Sequence, residues 1–173
     1  MNVDQEIYSI VDENDCVIGK ASRKYIHQNK LLHRSVHILV FNSRNELFLQ
    51  KRSLLKGESP GLWDTSSAGH VDAGESYIHS AHRELWEELG LKVSLKTEVK
   101  FSACKETHDE HIQVYSCVSD DDISINIEEI SDGAFFSLNK VTTDIKVAPH
   151  LFTSSFKKIF NHIQDLENIS LNE

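Results

Sequence analysis

Glu84, Glu87 and Glu88 stand at i, i+3 and i+4 in one stretch of the chain, and that spacing is its strongest chemical feature. At about 100° per residue, Glu87 lies roughly 60° to one side of Glu84 and Glu88 roughly 40° to the other, so three carboxylates share one helix face. Like charges placed this way cost a few tenths of a kcal/mol per pair in an isolated helix. A bound divalent cation more than offsets that repulsion. Carboxylate oxygens are hard ligands that suit Mg²⁺ or Mn²⁺, ions that keep several waters and accept phosphate oxygens as further ligands. The ordinary alternative for a Glu-rich helix is a solvated acidic face.

The helix that must carry these groups is predicted over Ser76 to Leu89, with Ser76 capping its start and Gly90 placed for a left-handed end. Ile78, Ala81, Leu85 and Leu89 form an apolar stripe beside the carboxylates, which fixes one side in a core and leaves the acidic edge accessible. A strand, turn, strand pattern runs over Ile7 to Val11 and Cys16 to Gly19. The apolar run Val36 to Phe41 suits a strand buried on both faces, Leu47 to Gln50 continues as a second strand, and Trp63 to Ala68 as a short one. Leu91, Val93, Leu95, Val99, Phe101 and Ala103 alternate as a half-buried strand does, and His111 to Val118 and Gly133 to Ser137 read as further strands. The last helix places Phe152, Phe156, Ile159, Phe160, Ile163 and Leu166 on one stripe. Strands interleaved with two helices indicate an α/β or α+β sandwich. We read one domain over residues 1–173, with its core over about 30–165 and an N-terminal β-hairpin over about 6–22.

Eighteen Lys and Arg against 27 Asp and Glu give a formal net charge of −9, which opposes sequence-blind nucleic-acid binding. The same field repels a polyphosphate unless metal ions and a few local cations reverse it at the site. No apolar run is long enough to span a membrane, Met1 to Ile10 lacks the form of a secretory signal, and the odd set Cys16, Cys104 and Cys117 has no CxxC spacing. A cytoplasmic protein with reduced thiols is expected. Nothing marks a dimer interface, although a homodimer is compatible with the sequence.

Gly69, Glu75, Arg83, Glu84, Leu85, Glu87, Glu88, Gly90 and Leu91 fit Gx5Ex7REUxEExGU, with U a bulky aliphatic residue, at every specified position. This segment resembles the Nudix box, and the likeness extends more loosely over residues 6–160. The resemblance implies an α/β/α sandwich around a mixed twisted sheet, with the box as a loop-helix-loop. It implies metal ligation by Glu84, Glu87 and Glu88 and by the carbonyl of Ala68, with one carboxylate positioning or deprotonating the attacking water. It assigns structural roles to Gly69, Glu75, Arg83 and Gly90, with Arg83 pairing with Glu75. The implied activity is Mg²⁺- or Mn²⁺-dependent hydrolysis of a small-molecule diphosphate linked to a group X, for which nucleoside and related metabolite diphosphates are the leading class. Cations bridging the anionic oxygens lower the barrier to such attack. Lys51 and Arg52 are expected to contact the outer phosphate or else to be solvated surface, with Lys56 a weaker candidate. Trp63 and Phe48 could stack on a base or belong to the core.

Leu32 to Ser76 is also similar to type 1 isopentenyl-diphosphate isomerases and to hydrolases related to them. Against that family's metal ligands, His33 and His70 match two histidines, His27 lies near a third, Glu110 matches one acid, and His108 stands at the place of another. A second metal cluster of His33, His70, His108 and Glu110 follows from that likeness. The family's protonating cysteine falls at position 68, which here is alanine, and an alanine cannot deliver a proton to carbon. The box is also intact as a hydrolase box. Isomerase activity, and a domain that binds a nucleotide or metabolite without cleaving it, stand as the alternatives.

Overall fold

Strand β3 (His33–Phe41) is the spine on which the other elements are arranged. In the computed structural model, which describes residues 5–170 and the side chains of residues 5–164, it pairs in parallel with β8 (Glu110–Val118) from His33 opposite Glu110 to Phe41 opposite Val118. On its other side it pairs antiparallel with β6 (Ser67–His70), Ser35 facing His70 and His37 facing Ala68. β7 (Lys96–Phe101) flanks β8. A hairpin through Asn42 leads to β4 (Glu46–Arg52), where the Asn42 side-chain oxygen accepts from the amides of Arg44 and Glu46.

Beyond Phe41 opposite Leu47, β4 leaves β3 and pairs with β5 (Trp63–Asp64) at Gln50 and Lys51, while β9 (Ile130–Ser137) pairs with it from Glu46 to Arg52. The gap is bridged by Ser66, which is fully buried. Its hydroxyl accepts from the Val40 amide at 2.8 Å and donates to the Phe48 carbonyl at 2.5 Å, so both diverging strands keep a partner. The cleft described below opens where the strands part.

Alternation along β3 sends Val36, Ile38 and Val40 to one face, where they pack on Ala81, Leu85 and Leu89 of α2 (Tyr77–Leu89). Leu39, with Leu47 and Leu49 of β4, packs on the other face against Val141 of α3 (Leu138–Val147) and Phe156, Ile159 and Phe160 of α4 (Ser154–Ser170). A mixed sheet between helices is therefore the architecture. β1 (Ile7–Val11) and β2 (Val17–Ser22) form the separate two-stranded sheet, which Asp15 fastens to the body through Arg34 Nε at 2.6 Å and the Tyr77 hydroxyl at 3.0 Å.

Several expectations need correction. The described residues contain four α-helices, not two: α1 (Arg23–Asn29) is seven residues long and buries Ile26, and α3 carries the short stripe Leu138, Val141 and Ile145, of which Val141 is fully buried. The stretch from Trp63 to Ala68 is two strands interrupted at Thr65 and Ser66, whose amide and hydroxyl are taken by Asp64 and by the strand gap. β7 begins only at Lys96; Leu91, Val93 and Leu95 reach the core from an irregular segment, because alternation records which way side chains face and not strand pairing. On α2, Ile78 is 40% exposed and the buried stripe starts at Ser80, whose hydroxyl donates to Glu75 at 2.5 Å. The side chain of Leu166 and residues Met1 to Asp4 lie outside the described set. No helix among the described residues is long and apolar enough to cross a membrane, and the three cysteines are free thiols.

Ser66→Ala leaves the Val40 amide buried without its acceptor and is expected to cost about 1–3 kcal/mol. Urea unfolding of the two proteins measures this; an unchanged midpoint and slope would show that the strands do not depend on the hydroxyl.

Candidate active site

The box helix is capped at both ends as its residues require: the Ser76 side chain accepts from the His79 amide, and Gly90 takes φ 71°. The caps set its ends, and the packing of Ala81, Leu85 and Leu89 on β3 sets its rotation, which carries its carboxylates to the edge of β6 that β3 does not use. There the Ala68 amide donates to Glu88 Oε2 at 3.0 Å. The amide and carbonyl of one strand residue project to the same edge, so the Ala68 carbonyl is turned toward the same carboxylates. Gln50 Nε2 adds a second donor to Glu88 at 3.2 Å. At Gly69 an added Cβ would fall inside the carboxyl of Glu84, so the absence of a side chain there makes the notch that Glu84 fills.

The three carboxylates are not equivalent. Glu88 is buried, the Glu84 side chain is 14% exposed, and that of Glu87 is 54% exposed at the rim. Arg83 lies among them, with Nη1 at 2.6 Å from Glu84 and 3.3 Å from Glu87, and Nη2 at 3.0 Å from Glu75 and 3.1 Å from the His70 carbonyl. It thereby ties the loop before α2 to the helix. Burial and the neighbouring Glu88 charge outweigh Arg83 and push Glu84 up to about 8. Burial raises Glu88 as well, against the attraction of Lys56 and the Ala68 amide. Two buried carboxyls held together in this way fit a hard divalent cation, which would offset both shifts.

These groups line a cleft of ≈ 820 Å³ that also holds His37, His70, Arg52 and Lys56. Arg52 donates through Nε and Nη2 to the Glu58 carbonyl, both at 3.1 Å, and lies 3.4 Å from Asp64. Lys56 pairs with Glu129. Lys51 is corrected: successive strand residues point to opposite faces, and Lys51 lies over the Trp63 ring, away from the cleft. Phe48 and Trp63 are core residues, packed edge-on against Phe135 and Phe136, and neither lines the cleft.

At the other end of the same floor, His33 and Glu110 are opposite each other across β3 and β8. His70 Nε2 lies 3.2 Å from Glu110 Oε1, and His33 Nε2 lies 3.6 Å from it. The third imidazole here is that of His27 on α1; the ligand atoms of His27, His33 and His70 fall within 4.8 Å of one another. His108 is not part of the group. It follows the short turn Lys105–Thr107 in the left-handed region, and its Nε2 meets the Ser154 hydroxyl at 3.1 Å. The neighbouring imidazoles outweigh burial and hold Glu110 well below the usual carboxylate range, while burial keeps His70 below its ordinary value. One carboxylate among three imidazoles is a donor set suited to a transition metal or Zn²⁺.

Three contributors escape sequence reasoning. Gln50 is an ordinary strand residue by type, Glu58 stands in a loop without a motif, and His37, whose Nδ1 lies 2.8 Å from the Thr65 hydroxyl, is recognisable only once β3 faces the cleft.

Comparison with known proteins agrees with this geometry. Residues 31–155 match the NUDIX domain family. An isopentenyl-diphosphate Delta-isomerase 2 of Photorhabdus laumondii is 38% identical over 94% of this chain and 96% of its own length. An uncharacterized Nudix hydrolase of Pseudomonas aeruginosa is 36% identical over 85% of this chain and 88% of its own. Among solved structures, a Deinococcus radiodurans protein superposes with a TM-score of 0.80 at 25% identity, covering 91% of this chain and 98% of the other. With its family match spanning the whole sheet from β3 through β9 and both carboxylate-bearing and histidine-bearing edges, the chain belongs to the NUDIX domain family.

Proposed function

We propose that the protein hydrolyses a small-molecule X-linked diphosphate, releasing a phosphate and X-phosphate, with Mg²⁺ or Mn²⁺ as its cofactor. The observation that carries this reading is the convergence of Glu84 and Glu88 on the Ala68 edge in the cleft that also holds Arg52 and Lys56. Glu84, Glu87, Glu88 and the Ala68 carbonyl would hold the cation, which when bound neutralises charge on the diphosphate oxygens. Arg52 and Lys56 face the outer phosphate, and their acidic partners Asp64 and Glu129 keep both side chains in place before substrate enters. One of the box carboxylates orients the attacking water.

The histidine cluster and the isomerases among the relatives favour a second reading, double-bond migration in a prenyl diphosphate. It requires a proton donor on the cleft face at position 68. Alanine offers none there, so the role would pass to His37, directly across from it on β3.

Glu88→Gln keeps the size of the side chain and removes its charge; turnover is expected to fall by orders of magnitude with the fold retained. ³¹P NMR of the protein with Mg²⁺ and a pool of nucleoside diphosphate derivatives and isopentenyl diphosphate tests both readings. Loss of a diphosphate resonance with wild type alone supports hydrolysis. An unchanged phosphorus spectrum with a shifted alkene signal in the proton spectrum of the same tube supports isomerisation.

The raised Glu84 gives a second prediction. A carboxyl that binds its proton more tightly in the folded chain stabilises the fold most at low pH and loses that contribution as pH rises from its ordinary 4.5 through about 8. The melting temperature of EDTA-treated protein should therefore fall across that window. The fall should be flatter in Glu84→Gln and reduced by added Mg²⁺; equal slopes in both proteins would remove Glu84 as its source.

A further inference from the structure

Glu58 belongs to no motif and lies in the loop between β4 and β5, yet its carboxylate reaches back to α1. Its Oε1 is 2.8 Å from His27 Nδ1. A carboxylate oxygen accepts, so Nδ1 carries the hydrogen and the lone pair of the ring is left on Nε2. That Nε2 is buried and has no hydrogen-bond partner among the described residues. The ring belongs to the group in which His27, His33 and His70 bring their ligand atoms within 4.8 Å of one another. His33 Nδ1 lies 2.9 Å from the Leu31 carbonyl, which only accepts, and its Nε2 is buried without a hydrogen bond among the described residues, 3.6 Å from Glu110 Oε1. Leaving a buried nitrogen unmatched costs stability, and the adjacent His27 and His33 rings, with centroids 4.9 Å apart, each carry an Nε2 without a hydrogen bond.

We propose that Glu58 is the positioning residue of a second metal centre, locking His27 in the tautomer and orientation that let its Nε2 join His33, His70 and Glu110. The proposal rests on the reading of that cluster as a metal site. Metal-bound imidazoles commonly donate their remote N–H to a carboxylate or carbonyl, which orients the ring and raises its basicity. Glu58 supplies this to His27 as Leu31 supplies it to His33. The His27 ring has no strand to fix it: α1 is seven residues long and Ile26 is its buried residue, so a partner outside the helix must set the ring. The backbone of Glu58 does further work, since its carbonyl accepts both Nε and Nη2 of Arg52. One loop residue thus connects the second metal centre to a cation that faces the diphosphate.

The test is titration of the full chain with Co²⁺ alone, following the visible absorption that reports its ligands. Wild type is expected to develop a band that His33→Ala lacks. Glu58→Ala should bind the ion giving that band about 10- to 100-fold more weakly, and Glu58→Gln, which keeps an acceptor, should recover part of the loss. In a His27→Ala background Glu58→Ala should change the affinity no further, which a merely structural role for the loop would not produce. Circular dichroism melting of the metal-free proteins checks that each is folded. Wild-type affinity in Glu58→Ala, with the band still lost in His33→Ala, would overturn the role of Glu58 and leave the metal centre standing. No band sensitive to His33 in wild type would overturn both.

Discussion

The separation of β4 from β3 is the constraint from which the rest of the molecule follows. Two strands joined by a tight hairpin would ordinarily stay paired, and a closed sheet would leave no room for a substrate. Here Ser66 takes one hydrogen bond from each strand in the gap, so the sheet opens without orphaned backbone groups. The opening exposes the floor of β3 and β6 and hangs the loop bearing Lys56 and Glu58 over it. It also frees β3 to carry, on one face at successive odd positions, His33, Ser35 and His37 before Leu39 returns to the core.

On that floor the electrostatics are arranged against the overall charge of the chain. A net charge of −9 repels a diphosphate, and the deepest groups in the cleft are themselves carboxyls. Burial drives Glu84 and Glu88 toward protonation, Glu84 further through the charge of Glu88, although Arg83, Lys56, Gln50 and the Ala68 amide act against it. The notch is therefore underneutralised by its own residues, and the proposed divalent cation would complete it. Gly69 matters here through what it lacks. Any Cβ would displace the Glu84 carboxyl and take with it the geometry of the pair.

How much of this was legible in the sequence depended on whether a residue's role is local or made by the fold. The box helix was legible because Ser76, Gly90 and the i, i+3, i+4 carboxylates are local features, and the core strand because Val36 to Phe41 is continuously apolar. The gradation from buried Glu88 to exposed Glu87 was not, since it depends on where the open edge of β6 lies. Lys51 and Arg52 look alike in sequence and are separated by one residue of strand alternation. His27 and His108 exchange places because a left-handed turn carries His108 toward α4, while α1, too short and polar to announce itself, delivers His27. Glu58 acquires meaning only through a contact 31 residues away in the chain (58 − 27).

The central claim is that the notch formed by Gly69, Ala68 and the box carboxylates is a metal site, and counting bound Mn²⁺ by EPR in Gly69→Ala tests it most directly, because no ligand is removed. Gly69→Ala is expected to stay folded and to lose the same equivalent of Mn²⁺ as Glu88→Gln, an equivalent that His33→Ala retains. A folded Gly69→Ala protein that binds Mn²⁺ with wild-type stoichiometry and affinity would contradict it.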